Sequence, residues 1–170
     1  MKVSVDIHDS LNEVLMGLDQ THVDVKRAIK RAQRKYTAFI ERLLIQAVVD
    51  ASGVKRNLFK KHRVHVTTVY AEGKIKVWLG IAPVGLGYFG KVKEVAGGVK
   101  AGQHFRHDAF MINANNAAFK REGKERLPLV YQTQAIEPVA KPVVIQILKR
   151  GQQRLITLLE QELNYALHHE

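Results

Sequence analysis

The chain has 170 residues, of which 46% are hydrophobic and 25% are charged, and its formal net charge is +11. This composition is that of an ordinary globular domain and excludes an intrinsically disordered chain. Because cysteine is absent, disulfides and thiolate metal sites are excluded as well. No apolar run approaches the roughly 18 residues of a membrane span, and the N-terminal segment carries carboxylates where a signal peptide would be apolar. We therefore expect a soluble domain, cytosolic or bound to a particle, without contact to a membrane.

The positive charge is distributed unevenly. Residues 1–24 hold one lysine against five carboxylates, a net of −4, whereas residues 25–65 hold twelve Lys and Arg against two carboxylates, a net of +10. The rest of the chain carries a net of +5. This asymmetry indicates either an anionic partner such as nucleic acid or charge-complementary contacts between copies of the chain.

Two helices are predicted at the beginning of the chain. Ser10 and Glu13 have the spacing of a capping box ahead of apolar residues that share one helical face over 10–18. From Thr21 onward, apolar residues recur every 3.6 positions, which predicts an amphipathic helix of about eight turns. Gly53 is suited to the left-handed position that ends it.

Strands follow this helix. From Val64 the apolar period becomes two, which predicts a β-hairpin over 64–79 that turns at "AEGK". Further short strands are predicted over 88–105 and 108–122, with Asn115-Asn116 in a tight turn. The proline-bounded segment 126–138 is expected to be extended.

A second long helix is predicted to begin at Pro142, with an apolar stripe from Leu148 to Leu167. Helices, a run of strands and a final helix are typical of an α+β fold. We therefore expect a single domain over 1–170 with a long N-terminal amphipathic helix, a central antiparallel or mixed β-sheet and a long C-terminal helix.

One glycine pattern suggests a nucleotide site. Gly85, Gly87 and Gly90 match the G-x-G-x-x-G fingerprint of dinucleotide binding. That fingerprint needs a helix N-terminus directly after the glycines, and the following residues alternate like a strand. We reject the fingerprint and expect no cofactor.

The histidines suggest a metal site. His104, His107 and Asp108 could supply two imidazoles and a carboxylate, but residues three apart on a strand point to opposite faces. His62 and His65 have the same spacing. No nucleophile elbow or paired carboxylate accompanies them, so we do not expect an enzyme. A small metal-dependent hydrolase built on His104 and His107 is kept as an alternative.

The strongest feature is a cationic surface on the long helix and on the segment after it. Its candidate members are Lys26, Arg27, Lys30, Arg31, Arg34, Lys35, Lys55, Arg56, Lys60 and Lys61. Almost no acids are interspersed, so the helix face repels itself unless an anion lies opposite. A solvated face, a neighbouring subunit and nucleic acid phosphates all stay open. A nucleic-acid-binding protein without sequence preference is therefore a further alternative.

The order of several short motifs is familiar. "YFG" (Tyr88–Gly90) precedes "GGVKAG", "DAFMIN", "AFKRE" and "ERLPLVY", and a long C-terminal helix follows. Together with the basic helix and "SGVKRNLFKKH", this order resembles the minor tail protein Z family of long-tailed phages and prophages, from about Val23 to the end. The chain departs from the family at "IEPVAKP" (Ile136–Pro142), where a Gly-Pro-Ser type step is common. A related tail-terminator group shares the α+β design.

The resemblance implies a structural protein of the virion tail, present in the host cytoplasm during assembly. It would act at the head-proximal end of the tail, in completion or head–tail joining, as a ring that is hexameric in such proteins. Its partners would be other copies, other tail or neck proteins and the genomic DNA in the lumen. Head-to-tail ring contacts need two different complementary patches.

Two further groups are candidates for such contacts. The acidic counter-patch to the basic helix comprises Asp6, Asp9 and Glu13. The apolar anchors, in the core or between subunits, are Phe105, Phe110, Phe119 and Leu127.

Overall fold

The computed structural model of the protein describes residues 2–6, 23–69, 74–112 and 116–169. The helices are α1 (Val23–Ser52), α2 (Arg56–Arg63) and α3 (Glu137–His169). The strands are β1 (Lys2–Asp6), β2 (Val64–Val69), β3 (Lys74–Leu79), β4 (Val84–Gly85), β5 (Lys93–Val95), β6 (Gly98–Ala101), β7 (His104–His107), β8 (Ala109–Met111), β9 (Ala118–Arg121), β10 (Leu129–Tyr131) and β11 (Thr133–Gln134). Apart from β1, the strands lie between the two long helices in sequence order, and they form small antiparallel sheets. The predicted α+β fold is confirmed. The helix expected over 10–18 lies outside the described residues.

Helix α1 confirms the prediction from apolar periodicity. Its buried side chains follow one face from Val25 through Tyr36 to Val48. The helix ends where Gly53 adopts a φ of +73° and donates its N–H to the Val49 carbonyl at 2.8 Å. A left-handed residue directly after the last turn is the common way for a helix to stop, and glycine adopts it without steric cost.

Helix α3 begins five residues earlier than the sequence predicts. Its first residue is Glu137, and Pro142 lies inside the helix instead of opening it. Pro138 occupies the first turn, where a backbone N–H has no helical partner, so proline is tolerated there. The Ala140 N–H then donates to the Ile136 carbonyl at 2.9 Å. Pro138 and Pro142 are both compatible with a helix start, and the sequence prediction placed the start at Pro142 instead of near Pro138.

Helices α1 and α3 pack against each other in an antiparallel arrangement. Arg31 of α1 contacts Glu162 and Tyr165 of α3, whereas Phe39, two turns later in α1, lies under Arg154. The pair is close where Gly151 faces Tyr36, because a Cβ on that glycine would lie 2.8 Å from the tyrosine hydroxyl. This helix pair forms much of the main hydrophobic core.

The predicted hairpin is confirmed as β2 and β3, although its turn lies outside the described residues. The two strands pair antiparallel from Val64↔Leu79 to Val69↔Lys74, and β1 pairs with the other side of β3. Inward-facing residues such as Ile75, Val77 and Leu79 are buried in the same core as the helix pair.

The central strands form three further small sheets. Their orders are β5–β6–β7, β8–β9–β10 and β4–β11, all with antiparallel pairing. A second hydrophobic cluster lies here, and its largest members are Leu86, Val92 and Val99. The Asn116 side chain binds this region together, since it accepts from the Val92 N–H at 2.7 Å and donates to the carbonyls of Gly87 and Gly90. The tight turn expected at Asn115-Asn116 includes residues outside the description.

Across the described ranges, none of the helices combines the length and the apolar character that crossing a bilayer requires.

Candidate functional site

The basic surface of α1 is only partly directed to solvent. Five of its six candidates are exposed: Lys26, Arg27, Lys30, Arg34 and Lys35. Arg27 makes an ion pair with Asp24 at 3.3 Å across one turn. The half-buried Arg31 and the exposed Lys35 both reach toward α3.

These two cations meet a buried carboxylate. Arg31 Nε donates to Glu162 Oε2 at 2.9 Å, and Lys35 Nζ donates to the other oxygen of Glu162. The Glu162 side chain is only 9% exposed, and the Arg31 guanidinium also lies 5.6 Å from the centre of the Tyr165 ring. An anion therefore does lie opposite part of the basic helix, and it comes from the same chain.

The surroundings of Glu162 hold it in the charged form. Burial by itself would raise its pKa, but the hydrogen bonds from Lys35 and Arg31 and their positive charges outweigh burial, so the pKa is lowered. With both oxygens engaged, the carboxylate has a structural task in joining the two long helices.

Helix α2 and its N-cap residue, Lys55, carry the remaining candidates of the basic surface. Lys55, Arg56, Lys60 and Lys61 are all exposed. Arg56 donates to the Gln46 amide, and Lys60 Nζ lies 4.0 Å from a carboxylate oxygen of Glu41. The helix is anchored by Phe59, which is completely buried. The cations are therefore exposed to solvent on a helix that the buried Phe59 holds in place.

A second cationic surface lies on the β5–β6–β7 sheet, and no pattern in the sequence predicted it. Lys93, Lys100 and Phe105 are paired directly across the three strands, so they share one face. Both lysines are exposed, and the phenyl ring of Phe105 is 42% exposed. Val99 on the opposite face is buried, which identifies the lysine face as the outer one.

The apolar anchor candidates lie outside the buried core. Phe105 is exposed on the sheet just described, and Leu127 is 68% exposed. Phe110 and Phe119 are half-buried and directly paired between β8 and β9. The guanidinium of Arg121 lies 5.6 Å from the centre of the Phe110 ring, while the Phe119 ring lies 5.5 Å from that of Tyr131. The sequence left two roles open for these four residues, packing in the core and contact between subunits. In the single chain, none of the four is buried in the core.

An apolar strip follows the edge strand β10. Leu127, Val130 and Tyr131 are 68%, 45% and 45% exposed, and among the described strands β10 has a partner on only one side. The sequence pattern predicted an extended segment here but not its position at a sheet edge.

The side chains of His104 and His107 do not point toward a common site. His104 and His107 lie on opposite faces of β7, as the strand spacing predicts, since one packs edge-on against the Phe89 ring and the other is 74% exposed. Burial, followed by the nearby charge of Arg106, lowers the pKa of His104. His107 Nδ1 lies 3.0 Å from Asp108, whose pKa is lowered by that hydrogen bond. Within the described ranges, no three His, Asp or Glu side chains are placed to hold a metal ion.

The glycine pattern has a packing explanation. Gly85 ends β4, and a 3-10 turn over Leu86–Tyr88 follows it where a nucleotide site would need a longer helix. A Cβ on Gly85 would lie 1.7 Å from the Tyr131 hydroxyl, and one on Gly87 would lie 2.3 Å from the Asn116 carbonyl oxygen. These glycines allow neighbouring segments to approach closely.

The acidic counter-patch lies largely outside the described residues. Asp9 and Glu13 belong to the segment that is not described, and Asp6 is placed only through its backbone pairing with Lys74. Its contact with the basic helix stays a prediction.

Comparisons of the chain with protein-family models, with curated proteins and with solved structures found no match.

Proposed function

We propose that this chain is a structural protein of a phage or prophage tail, which assembles as a ring at the head-proximal end and has no catalytic role. The resemblance of its motif order to the minor tail protein Z family supports the tail assignment. The arrangement of a long basic helix, small antiparallel sheets and a long C-terminal helix agrees with the design expected from that resemblance.

The observation that carries self-assembly is the apolar strip on β10. An edge strand offers unpaired backbone N–H and C=O groups, and soluble proteins usually protect such edges with charges. This one instead exposes Val130 and Tyr131, and Leu127, two residues before the strand, is exposed as well. Pairing with another copy would cover their apolar surface and satisfy the backbone groups.

A head-to-tail ring also needs a different patch on the neighbouring copy. Such a patch is available at the start of α3, where a hollow of about 400 Å³ is lined by Pro83, Ala135, Pro138 and Pro142 together with the charged Glu137 and Lys141. Val139 and Ile145 of the same helix are 46% and 42% exposed. Two separate apolar patches on one chain suit a closed ring better than a symmetric dimer.

The experiment is a native mass measurement in low and moderate salt, combined with electron microscopy of the particles. Six copies of the 19.2 kDa chain would give about 115 kDa and a ring with a central channel. Val130→Lys introduces a charge at the strand edge and is expected to return the protein to monomers. Leu167→Lys, at an exposed site on the last turn of α3, is the matched control and should leave the assembly intact. A wild-type protein that is monomeric in both salts overturns the ring.

A further inference from the structure

The outer face of the β5–β6–β7 sheet combines two cations with an exposed aromatic ring. Lys93, Lys100 and Phe105 form one row across the strands, and Val95 and His107 lie in the next row of the same face. Glu94 belongs to the opposite face, where its carboxylate accepts the Met111 N–H at 2.7 Å. The strands thus place no carboxylate between these cations.

The two lysines repel each other in the isolated chain. They are directly opposite on neighbouring antiparallel strands, an arrangement that is destabilising for like charges. Neither ammonium group has an ion-pair partner in the part of the chain that the structure describes. An anion lying over this row would remove the repulsion.

Assembly of copies of the same chain does not reduce the overall excess of positive charge. Each copy carries a net charge of +11, so the excess grows with every subunit that joins an assembly. Contacts between copies can redistribute ion pairs but leave that excess unchanged. A partner of a different kind that carries net negative charge would compensate for this excess.

We propose that the outer face of the β5–β6–β7 sheet binds single-stranded nucleic acid without sequence preference. Phosphates would contact Lys93 and Lys100, and a base would stack on the Phe105 ring. Sites for single strands combine a cationic path for the backbone with aromatic rings for the bases, which is the combination found here. A duplex offers phosphates but keeps the faces of its bases stacked, so it would leave the exposed ring unused.

The cationic path continues beyond the sheet. Gln103, in the turn between β6 and β7, lies beside Gly53, since a Cβ on that glycine would be 3.8 Å from the Gln103 amide nitrogen. Lys55 follows two residues later and is exposed. A single nucleic-acid strand that crosses the sheet from Lys93 toward this turn would therefore meet further positive charge at the start of α2.

Fluorescence anisotropy with labelled oligothymidylate of about 20 nucleotides tests the charge contribution. We expect Lys93→Gln/Lys100→Gln to weaken binding and to reduce the slope of log affinity against log salt by about 1.4, because each lost phosphate contact accounts for about 0.7. The matched control is Lys149→Gln/Arg150→Gln, which removes the same charge from an exposed part of α3. If both pairs weaken binding equally, or if the wild type does not bind at low salt, the proposal is overturned.

Substitution of the ring tests stacking separately. Phe105→Ala is expected to weaken binding about fivefold or more while the salt slope stays unchanged, whereas Phe105→Tyr retains affinity. Circular dichroism checks that these exposed-site variants are folded. A duplex with equal phosphate count should bind less tightly and be insensitive to Phe105→Ala. Tighter duplex binding, or single-strand binding that ignores this substitution, would refute the assignment. The outcome is independent of the proposed ring, which rests on β10.

Discussion

The contact between Glu162 and the basic helix allows a quantitative test of how the two long helices are held together. Replacement of Glu162 by glutamine keeps the size of the side chain and one oxygen acceptor but removes its charge. Arg31 and Lys35 would then face each other across one turn of α1 without the carboxylate that now accepts from both.

The expected loss follows from the exposure of each partner. A hydrogen bond to a charged group contributes about 1.5–3 kcal/mol, and this value applies to the bond from Arg31, whose side chain is 33% exposed. The Lys35 side chain is 61% exposed, so its contribution is reduced by solvent screening to about 0.5 kcal/mol or less. We therefore expect Glu162→Gln to lower the free energy of unfolding by about 2 kcal/mol near neutral pH.

Urea unfolding, followed by Trp78 fluorescence and helical circular dichroism at fixed protein concentration, measures this change. Glu41→Gln is the control, because its pair with Lys60 is 4.0 Å long and the Lys60 side chain is 63% exposed, so the pair should contribute below about 0.5 kcal/mol.

The pH dependence of the same difference provides an independent check. Since folding lowers the pKa of Glu162 below its usual 4.5, its stabilisation is complete above that pH and is lost as the pH falls through the lowered value. The gap between wild type and Glu162→Gln should therefore shrink in acid. Equal stabilities at neutral pH, or a gap that persists unchanged in strong acid, would refute the electrostatic explanation.

Two further substitutions test buried features of the fold. The Tyr36 hydroxyl is buried without a hydrogen-bond partner among the described residues, and burial raises its pKa to about 12. Tyr36→Phe should therefore increase the free energy of unfolding by about 1 kcal/mol and the melting temperature by about 2–4 °C. A lower melting temperature would indicate that the hydroxyl does have a partner. Gly98 has a φ of +157°, and a Cβ there would lie 2.1 Å from the Arg106 carbonyl oxygen, so Gly98→Ala should destabilise the protein by about 1–3 kcal/mol. Gly123→Ala, where a Cβ would meet no atom within 4 Å, should leave the denaturation midpoint nearly unchanged.

The two long helices were predictable because periodicity reports directly on burial, whereas the short helix α2 was not predicted. The stripe through Val25, Tyr36 and Val48 identified the inner face of α1, and the exposed positions between them carried the cations. The start of α3 was not predictable to the same degree, because Pro138 and Pro142 each suit the first turn of a helix.

The internal partner of the basic helix could not be derived from spacing, since Glu162 is 131 residues away from Arg31. A signal for it was nevertheless present. Glu162 lies on the apolar stripe of α3, three residues after Leu159 and four before Ala166, both of which are buried. A single acid on the inner face of a helix indicates a buried cation on whatever packs against it, because an unpaired charge there would be costly. The helix pairing decides which cation that is.

The cationic surface of the β5–β6–β7 sheet could not be predicted from the sequence for a different reason. Lys93, Lys100 and Phe105 have no regular spacing along the chain, and they become neighbours only through the registers of two consecutive hairpins. A shift of β6 by one residue would turn Lys100 inward and bring the buried Val99 outward, because side chains alternate between the faces. The burial of Val99 therefore fixes the register and, with it, the outward row of charge. The proposed binding surface is thus a consequence of core packing on the other side of the same sheet.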